Sequence, residues 1–106
     1  MDSYLEELLS LIKSKKNNDP TISYTAFLHS KGLNEILKKI AEESSETIIA
    51  AKSDNNEELI HEIADLWFHC LVLLSAKNLK VEDIFLELRS RAGTSGIEEK
   101  NNRKLK

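Results

Sequence analysis

Two groups of acidic residues stand at helical spacing in the middle of the chain. The first group is Glu42, Glu43 and Glu46, in the stretch AEESSE, and the second is Glu62 and Asp65. Residues three or four positions apart on a helix project from the same side, so the carboxylates within each group repel one another. Taken alone, the first group is more typical of a solvated helix face than of a site.

The second group is more informative, because it lies on an apolar segment. From Leu59 to Leu74 nearly every direction of a helical wheel carries an apolar side chain, and Glu62, Asp65 and His69 fall in one stripe. A carboxylate on a buried helix is costly unless it is paired, protonated or bound to a metal. No lysine or arginine occurs in residues 53–76, so a local ion pair cannot neutralise these groups.

The two acidic groups are expected to meet. The polar stretch SDNN at residues 53–56 predicts a tight turn, and two helices joined by so short a turn pack as antiparallel neighbours. Glu43 and Glu46 would then face Glu62 and Asp65 at similar heights. An all-oxygen cluster suits a hard cation, Mg²⁺ above all, which bridges carboxylates to substrate phosphates. The chemistry indicated is metal-assisted cleavage of a phosphate ester or phosphoanhydride.

The elements that must position these residues are all helical. Helical spacing of apolar residues predicts helices over about residues 3–15, 24–31, 34–52, 57–77 and 81–91, with Gly32 ending the second and Asn34 capping the third. We expect an all-α bundle of about five helices in one domain, residues 1–92. The glycine-containing stretch 93–106 is expected to be a mobile tail. The core stripe predicted for the third helix consists of Leu37, Ile40, Ala41, Ser44, Ile48 and Ala51.

Composition narrows the classes of function. The formal net charge of −3 lacks the basic excess of a nucleic-acid binder, so no nucleic-acid partner is expected. The single cysteine, Cys70, forms no intramolecular disulfide and is expected to be buried. We find no apolar segment that predicts a membrane span, and expect a cytoplasmic protein. The fourth helix is apolar on nearly every side, which predicts a homodimer or an assembly built from dimers.

The motifs resemble a known family. EExxE followed by ExxD, here Glu42-Glu43-Ser-Ser-Glu46 and Glu62-Ile-Ala-Asp65, is similar to the metal motif of the all-α nucleotide pyrophosphohydrolases related to MazG. Residues 23–91 resemble, within that group, the phosphoribosyl-ATP pyrophosphatases of histidine biosynthesis. The elements SYT, KG, KK, AAK and ADLWFH carry this narrower resemblance, and the GTSGIEEK stretch is also similar to that family's C-terminus.

The resemblance implies an activity. Members of the family hydrolyse the α–β phosphoanhydride of phosphoribosyl-ATP with Mg²⁺, giving phosphoribosyl-AMP and pyrophosphate, and they are typically homodimers. The family's enzyme is fused to a cyclohydrolase in many organisms, and by resemblance we expect this chain, which is too short for that fusion, to be the free-standing form.

The resemblance also implies roles for individual residues. The expected metal ligands are Glu43, Glu46, Glu62 and Asp65. Glu42 and Glu46 are both candidates for orienting the attacking water. The expected substrate-binding residues are Lys39 and Lys52, which would meet phosphates, and Ser23, Tyr24 and Thr25, which would shape the pocket.

The chain departs from the family pattern near the motifs, where Ser44 and Ser45 are more polar than usual and two further residues differ, and no departure removes a carboxylate. Ala41 stands where the family commonly has glycine, and Trp67 is bulkier than the usual leucine. Two other functions stay open at this point. One is a housecleaning pyrophosphohydrolase that acts on non-standard nucleoside triphosphates, and the other is a non-catalytic helical dimerisation module.

Overall fold

The computed structural model describes residues 2–92, with side chains from residue 4 onward. This part of the chain contains five α-helices joined by loops. They are α1 (Asp2–Ser14), α2 (Tyr24–Lys31), α3 (Leu33–Lys52), α4 (Asn56–Ala76) and α5 (Val81–Ser90). No strand occurs within residues 2–92, and the predicted all-α fold is confirmed. The predicted mobile tail, residues 93–106, lies outside the described residues.

Polar side chains cap the starts of α2 and α4. The hydroxyl of Ser23 accepts a hydrogen bond from the backbone N–H of Ala26 at 3.2 Å, which begins α2. Asn55 Oδ1 accepts from the backbone N–H of Glu58 at 3.1 Å, which begins α4. The two caps relieve backbone donors that would otherwise lack partners at these helix starts.

The corner between α2 and α3 is made by one glycine. Gly32 has a φ of 93°, a conformation that favours glycine, and it serves both as the C-cap of α2 and as the N-cap of α3. The prediction that Asn34 caps α3 is therefore wrong, because Asn34 already lies inside the first turn of that helix.

The helices pack around α4. Its most extensive contact is with α3, as expected for two long helices joined by a three-residue connection. Helix α1 packs against α4 and α5, and α2 packs against α3 and α4. The buried hydrophobic cluster consists of Leu9, Ile12, Leu28, Ile36, Leu71, Val72 and Val81. Because α2, α3 and α4 all touch one another, residues from these three helices can share one site.

The buried side of α3 differs from the predicted core stripe. Ile36 and Ala50 are buried, whereas the predicted core residues Leu37 and Ile48 are exposed. Glu43 lies seven residues from each of the two buried positions, which is about two turns, and is itself half-buried. Glu43 is therefore half-buried because it lies on the side of α3 that packs against the neighbouring helices.

Helix α4 buries polar side chains and exposes apolar ones. Glu62, His69 and Ser75 are buried, while Ile60 and Trp67 are 68% and 58% exposed. The apolar composition of α4 predicts a fully buried helix, but within a single chain α4 is only partly buried. The polar side of α4 thus faces α2 and α3, and part of its apolar side faces outward.

By length and composition alone, α4 could cross a membrane, contrary to the expectation from the sequence. Its most apolar window has a mean hydropathy of 1.4 and is 28% buried. Length and composition are weak evidence for a membrane span, because the core helices of many soluble proteins share both properties.

An apolar groove follows the exposed side of α4. It has a volume of about 510 Å³ and is lined from α1, α4 and α5, including Trp67, Cys70, Leu74 and Phe85. The prediction that Cys70 is buried is wrong for the single chain, in which this residue is exposed.

Candidate metal and active site

Carboxylates from α3 and α4 meet in two overlapping groups. One oxygen each from Glu43, Glu46 and Glu62 lie within 4.8 Å of one another. A second group, within the same limit, joins His61, Glu62 and Asp65. The sequence predicted four carboxylates at one spot, and the structure brings three of them together and places Asp65 in the adjoining group. Glu62 is the residue common to both.

The site is buried on one side and open on the other. Glu62 is only 7% exposed and Glu43 is half-buried, whereas Glu46 is exposed. An open pocket of about 580 Å³ lies between the end of α3 and the start of α4, with Glu46, Ser53, His61 and Glu62 in its wall. A small ligand can therefore reach the carboxylates from solvent.

Glu62 is held in its protonated form at unusually high pH. Its pKa is raised to about 7, first by a hydrogen bond shared with Glu46, then by burial and by the charges of Glu46, Glu43 and Glu58. A hydrogen bond between two carboxyl groups requires a proton on one of them. Without a cation, the pair therefore keeps a proton that bulk water would remove from an ordinary glutamate.

Glu43 has an oxygen without a partner. Its Oε2 is buried and accepts no hydrogen bond from the described residues. Its pKa is raised, first by burial and then by the charges of Glu46 and Asp65, while His69 acts in the opposite direction. A buried carboxylate oxygen without a donor is costly, so this oxygen is suited to a positively charged ligand.

These observations fit a bound cation. The group of Glu43, Glu46 and Glu62 offers oxygen atoms only and its negative charges are crowded, and Glu43 in addition has an unpartnered buried oxygen. A divalent cation would take the place of the shared proton and would satisfy the unpartnered oxygen. His61 Nε2 lies 3.4 Å from Asp65 Oδ2 and adds a nitrogen donor at the exposed edge.

The remaining charged residues singled out from the sequence lie around this cluster. Lys39 Nζ forms an ion pair with Glu42 Oε2 at 3.4 Å, one turn along α3. Both side chains are partly exposed, so this pair is easily exchanged for a ligand. Lys52 lies exposed in the last turn of α3. Neither Glu42 nor Lys52 belongs to the two carboxylate groups.

The three residues SYT at the start of α2 differ in their surroundings. Ser23 caps the helix, and Thr25 is 7% exposed. Tyr24 is 47% exposed, and its hydroxyl lies 2.8 Å from His69 Nε2. The pKa of Tyr24 is raised, mainly by burial, while Lys39 lowers it. Of the three residues, Tyr24 thus has the side chain that can reach both solvent and the acidic cluster.

Two histidines also lie at the site. His69, which the sequence places in one stripe with Glu62 and Asp65, is 4% exposed, has Tyr24 as its partner and lies close enough to affect the pKa of Glu43. His61 is exposed and contacts Asp65. The four-residue spacing of His61 and Asp65 was the only feature of the sequence that indicated the contact between them.

The fold and the site together define a class. It is the all-α proteins in which carboxylates from two long, paired helices meet at one site. A family model described as phosphoribosyl-ATP pyrophosphohydrolase matches residues 5–92. The chain belongs to this family of hydrolases, and the resemblance inferred from its motifs is confirmed.

Curated relatives agree with this assignment over nearly the whole chain. A phosphoribosyl-ATP pyrophosphatase of Vesicomyosocius okutanii is 50% identical over 103 residues, covering 97% of this chain and 98% of the relative. Relatives with the same name are 48% identical in Methylococcus capsulatus, over 95% of this chain and 96% of the relative, and 47% identical in Geobacter metallireducens, over 96% and 94%.

Proposed function

We propose that this chain is a phosphoribosyl-ATP diphosphatase, which hydrolyses the α–β phosphoanhydride of phosphoribosyl-ATP to phosphoribosyl-AMP and pyrophosphate in the second step of histidine biosynthesis. The family match over residues 5–92 and the shared name of the relatives support the substrate. The observation that carries the chemistry is the crowded carboxylate group of α3 and α4 with its unpartnered oxygen.

Mg²⁺ is the cation that we propose for this site. Glu43, Glu46 and Glu62 would hold it, with Asp65 completing the set from the adjoining group. Oxygen ligands of this kind are preferred by Mg²⁺, which usually keeps several waters and therefore suits a pocket that is open on one side. When bound, Mg²⁺ would supply positive charge that offsets the charge developing on the pyrophosphate group.

Residues of the chain itself would orient the attacking water. Glu46 and Glu42 are the candidates for orienting the attacking water. Glu46 is exposed in the wall of the open pocket and lies against Glu62, which suits a group that contacts a water entering from solvent. Glu42 is engaged by Lys39 until a substrate phosphate draws the lysine away.

Substrate contacts are proposed for the lysines of α3 and the start of α2. Lys39 and Lys52 would meet phosphate oxygens as mobile positive charges. Tyr24 would contact the substrate directly, while Ser23 and Thr25 would act by fixing the backbone at the start of α2.

The decisive experiment measures pyrophosphate release with and without Mg²⁺. Phosphoribosyl-ATP is compared with a panel of standard and non-standard nucleoside triphosphates, and Glu43→Gln is compared with Glu87→Gln, an exposed α5 residue that pairs with Arg91. We expect turnover of phosphoribosyl-ATP that requires Mg²⁺ and falls by at least about a hundredfold in Glu43→Gln only.

Two results would replace the proposal with an alternative. Faster turnover of other triphosphates than of phosphoribosyl-ATP would indicate a housecleaning pyrophosphohydrolase. Absence of both turnover and calorimetric Mg²⁺ binding would indicate a non-catalytic dimerisation module.

We also propose that the enzyme is a cytoplasmic homodimer and that the apolar groove of α1, α4 and α5 contributes to the subunit contact. Trp67 and Cys70 are exposed in the groove of the single chain, and covering such a surface is the usual role of a homodimer interface. Trp67→Lys is expected to shift the sedimentation coefficient toward that of a monomer, with Tyr4→Lys in the adjoining groove as a second probe. A wild-type monomer at micromolar concentration would contradict the homodimer.

A further inference from the structure

Two histidines link α2 and α4, and each does so through hydrogen bonds of the same pattern. His69 Nδ1 lies 2.7 Å from the carbonyl oxygen of Asp65, and its Nε2 lies 2.8 Å from the hydroxyl of Tyr24. His29 Nδ1 lies 2.8 Å from the carbonyl oxygen four residues earlier, and its Nε2 lies 3.0 Å from the hydroxyl of Ser75. In each case a ring on one helix fixes a hydroxyl on the other.

The first contact determines which way the hydroxyl of Tyr24 points. A carbonyl oxygen only accepts, so Nδ1 of His69 must carry the ring hydrogen. In neutral imidazole the other nitrogen is then an acceptor. The Tyr24 O–H therefore donates to His69, and its oxygen keeps only the capacity to accept.

The ring of Tyr24 is also held at the border of the carboxylate site. It stacks on Phe27 and Phe68 at centroid distances of 6.4 and 6.3 Å, and meets the edge of His69 at 5.7 Å. Tyr24 as a residue is nevertheless 47% exposed, so part of its side chain is open to a ligand in solvent. His69 is 4% exposed and contacts the same helical turn that carries Asp65. The acceptor is thus fixed relative to the carboxylates.

We propose that His69 is a positioning residue that holds Tyr24 as a hydrogen-bond acceptor for the nucleoside part of the substrate. An oxygen that can only accept repels phosphate oxygens and attracts hydroxyl or amino donors, which the substrate carries only on its sugars and base. The nucleoside part would therefore lie against the start of α2 while the phosphates lie at the carboxylates. This inference rests on the proposed function.

Steady-state kinetics test the effect on substrate binding. Tyr24→Phe, which keeps the ring, and His69→Leu are each expected to raise KM for phosphoribosyl-ATP by about three- to tenfold and to change kcat by less than about twofold. Combining them should add little to either alone, because both remove the same oriented oxygen. His69→Gln, which returns an acceptor near the position of Nε2, is expected to recover most of the loss.

Ser75→Ala provides the matched control. It removes the hydroxyl that His29 fixes, but Ser75 lies thirteen residues after Glu62, about 20 Å along α4. We expect this variant to lower the unfolding temperature without changing KM. An unchanged KM in Tyr24→Phe, or loss of stability with unchanged KM in His69→Leu, would show that the Tyr24–His69 contact is only structural and would overturn the proposal.

Nitrogen NMR of the imidazole rings provides a readout that does not depend on activity. In the wild-type protein His69 is expected to show a protonated Nδ1 and an Nε2 that accepts a hydrogen bond, and Tyr24→Phe should shift Nε2 while leaving His29 unchanged. A protonated Nε2 on His69, whether the ring is neutral or charged, would refute the orientation of the hydroxyl and with it the proposal. If the NMR result holds but phosphoribosyl-ATP is not hydrolysed, the proposed function fails and the oriented acceptor stands.

Discussion

The shared proton of Glu62 and Glu46 predicts how cation binding depends on pH. The pKa of Glu62 is about 7 in the folded chain, against an ordinary value of 4.5, and the hydrogen bond from Glu46 is the largest cause. The proposed binding of Mg²⁺ would require this carboxyl group to release its proton. The apparent affinity for Mg²⁺ should therefore fall as the pH is lowered through 7.

The size of the effect follows from the fraction of protonated Glu62. With a pKa of about 7 this residue is about one-tenth protonated at pH 8, half at pH 7 and nine-tenths at pH 6. The apparent Mg²⁺ affinity should thus decrease by about tenfold between pH 8 and pH 6, with about half a proton released per cation at pH 7. An ordinary glutamate would produce almost no change over this range.

Calorimetric titration in buffers of different ionisation enthalpy measures both quantities. Glu46→Gln should weaken binding and also reduce the pH dependence, because it removes the hydrogen bond and the charge that raise the pKa of Glu62. Glu58→Gln is the matched control, since Glu58 is the smallest of the named causes. A pH-independent affinity in the wild-type protein, or an equal change in both variants, would refute the shared proton.

The same shift has a consequence for stability without metal. Because the pKa of Glu62 is raised on folding, the folded chain holds this proton more tightly than the unfolded chain does. Its contribution to the unfolding free energy is therefore present below about pH 4.5 and is lost as the pH rises to about 7. Mg²⁺ is expected to offset this loss by stabilising the ionised form.

Three further predictions concern the fold and are measured by urea denaturation. Leu28→Ala should lower the unfolding free energy by about 2–5 kcal/mol, because Leu28 is 0% exposed, whereas Ile22→Ala, at an 84% exposed position, should change it by less than about 0.5 kcal/mol. Asn55→Ala should cost about 1 kcal/mol through loss of the α4 cap, and equal stability would show that the cap is dispensable. Asn78 has a φ of 57°, so Asn78→Ala should cost about 1 kcal/mol and Asn78→Gly should cost nothing; the reverse order would contradict this backbone conformation.

The helices were largely predictable because their signals are local. Apolar spacing gave all five elements to within one or two residues, and the predicted bounds of α2, residues 24–31, are those of the structure. The two positive φ values of the described backbone are those of Gly32, which was predicted to end the second helix, and of Asn78, which lies between the predicted fourth and fifth helices. The incorrect cap at Asn34 shows the limit of such reasoning, because a glycine two residues earlier ended one helix and began the next.

The buried side of α3 was not predictable in the same way. Hydrophobicity places Leu37 and Ile48 in the core, but the structure exposes both and buries Ile36 and Ala50. A helix with apolar residues on more than one side has several possible core faces, and only its neighbours select one. That selection turned Glu43 inward and left one of its oxygens without a partner.

The sequence by itself determined the chemistry that is available: five helices, carboxylates at one-turn spacing on two of them, and a turn short enough to make those two helices neighbours. Those features depend on local propensity and on charge. Only the tertiary structure decided which carboxyl groups share a proton, that Asp65 lies in the adjoining group with His61, and that Tyr24 is oriented by a histidine from another helix. Hydrogen bonds and desolvation depend on positions accurate to about an ångström, which the packing of three helices sets and no sequence pattern encodes.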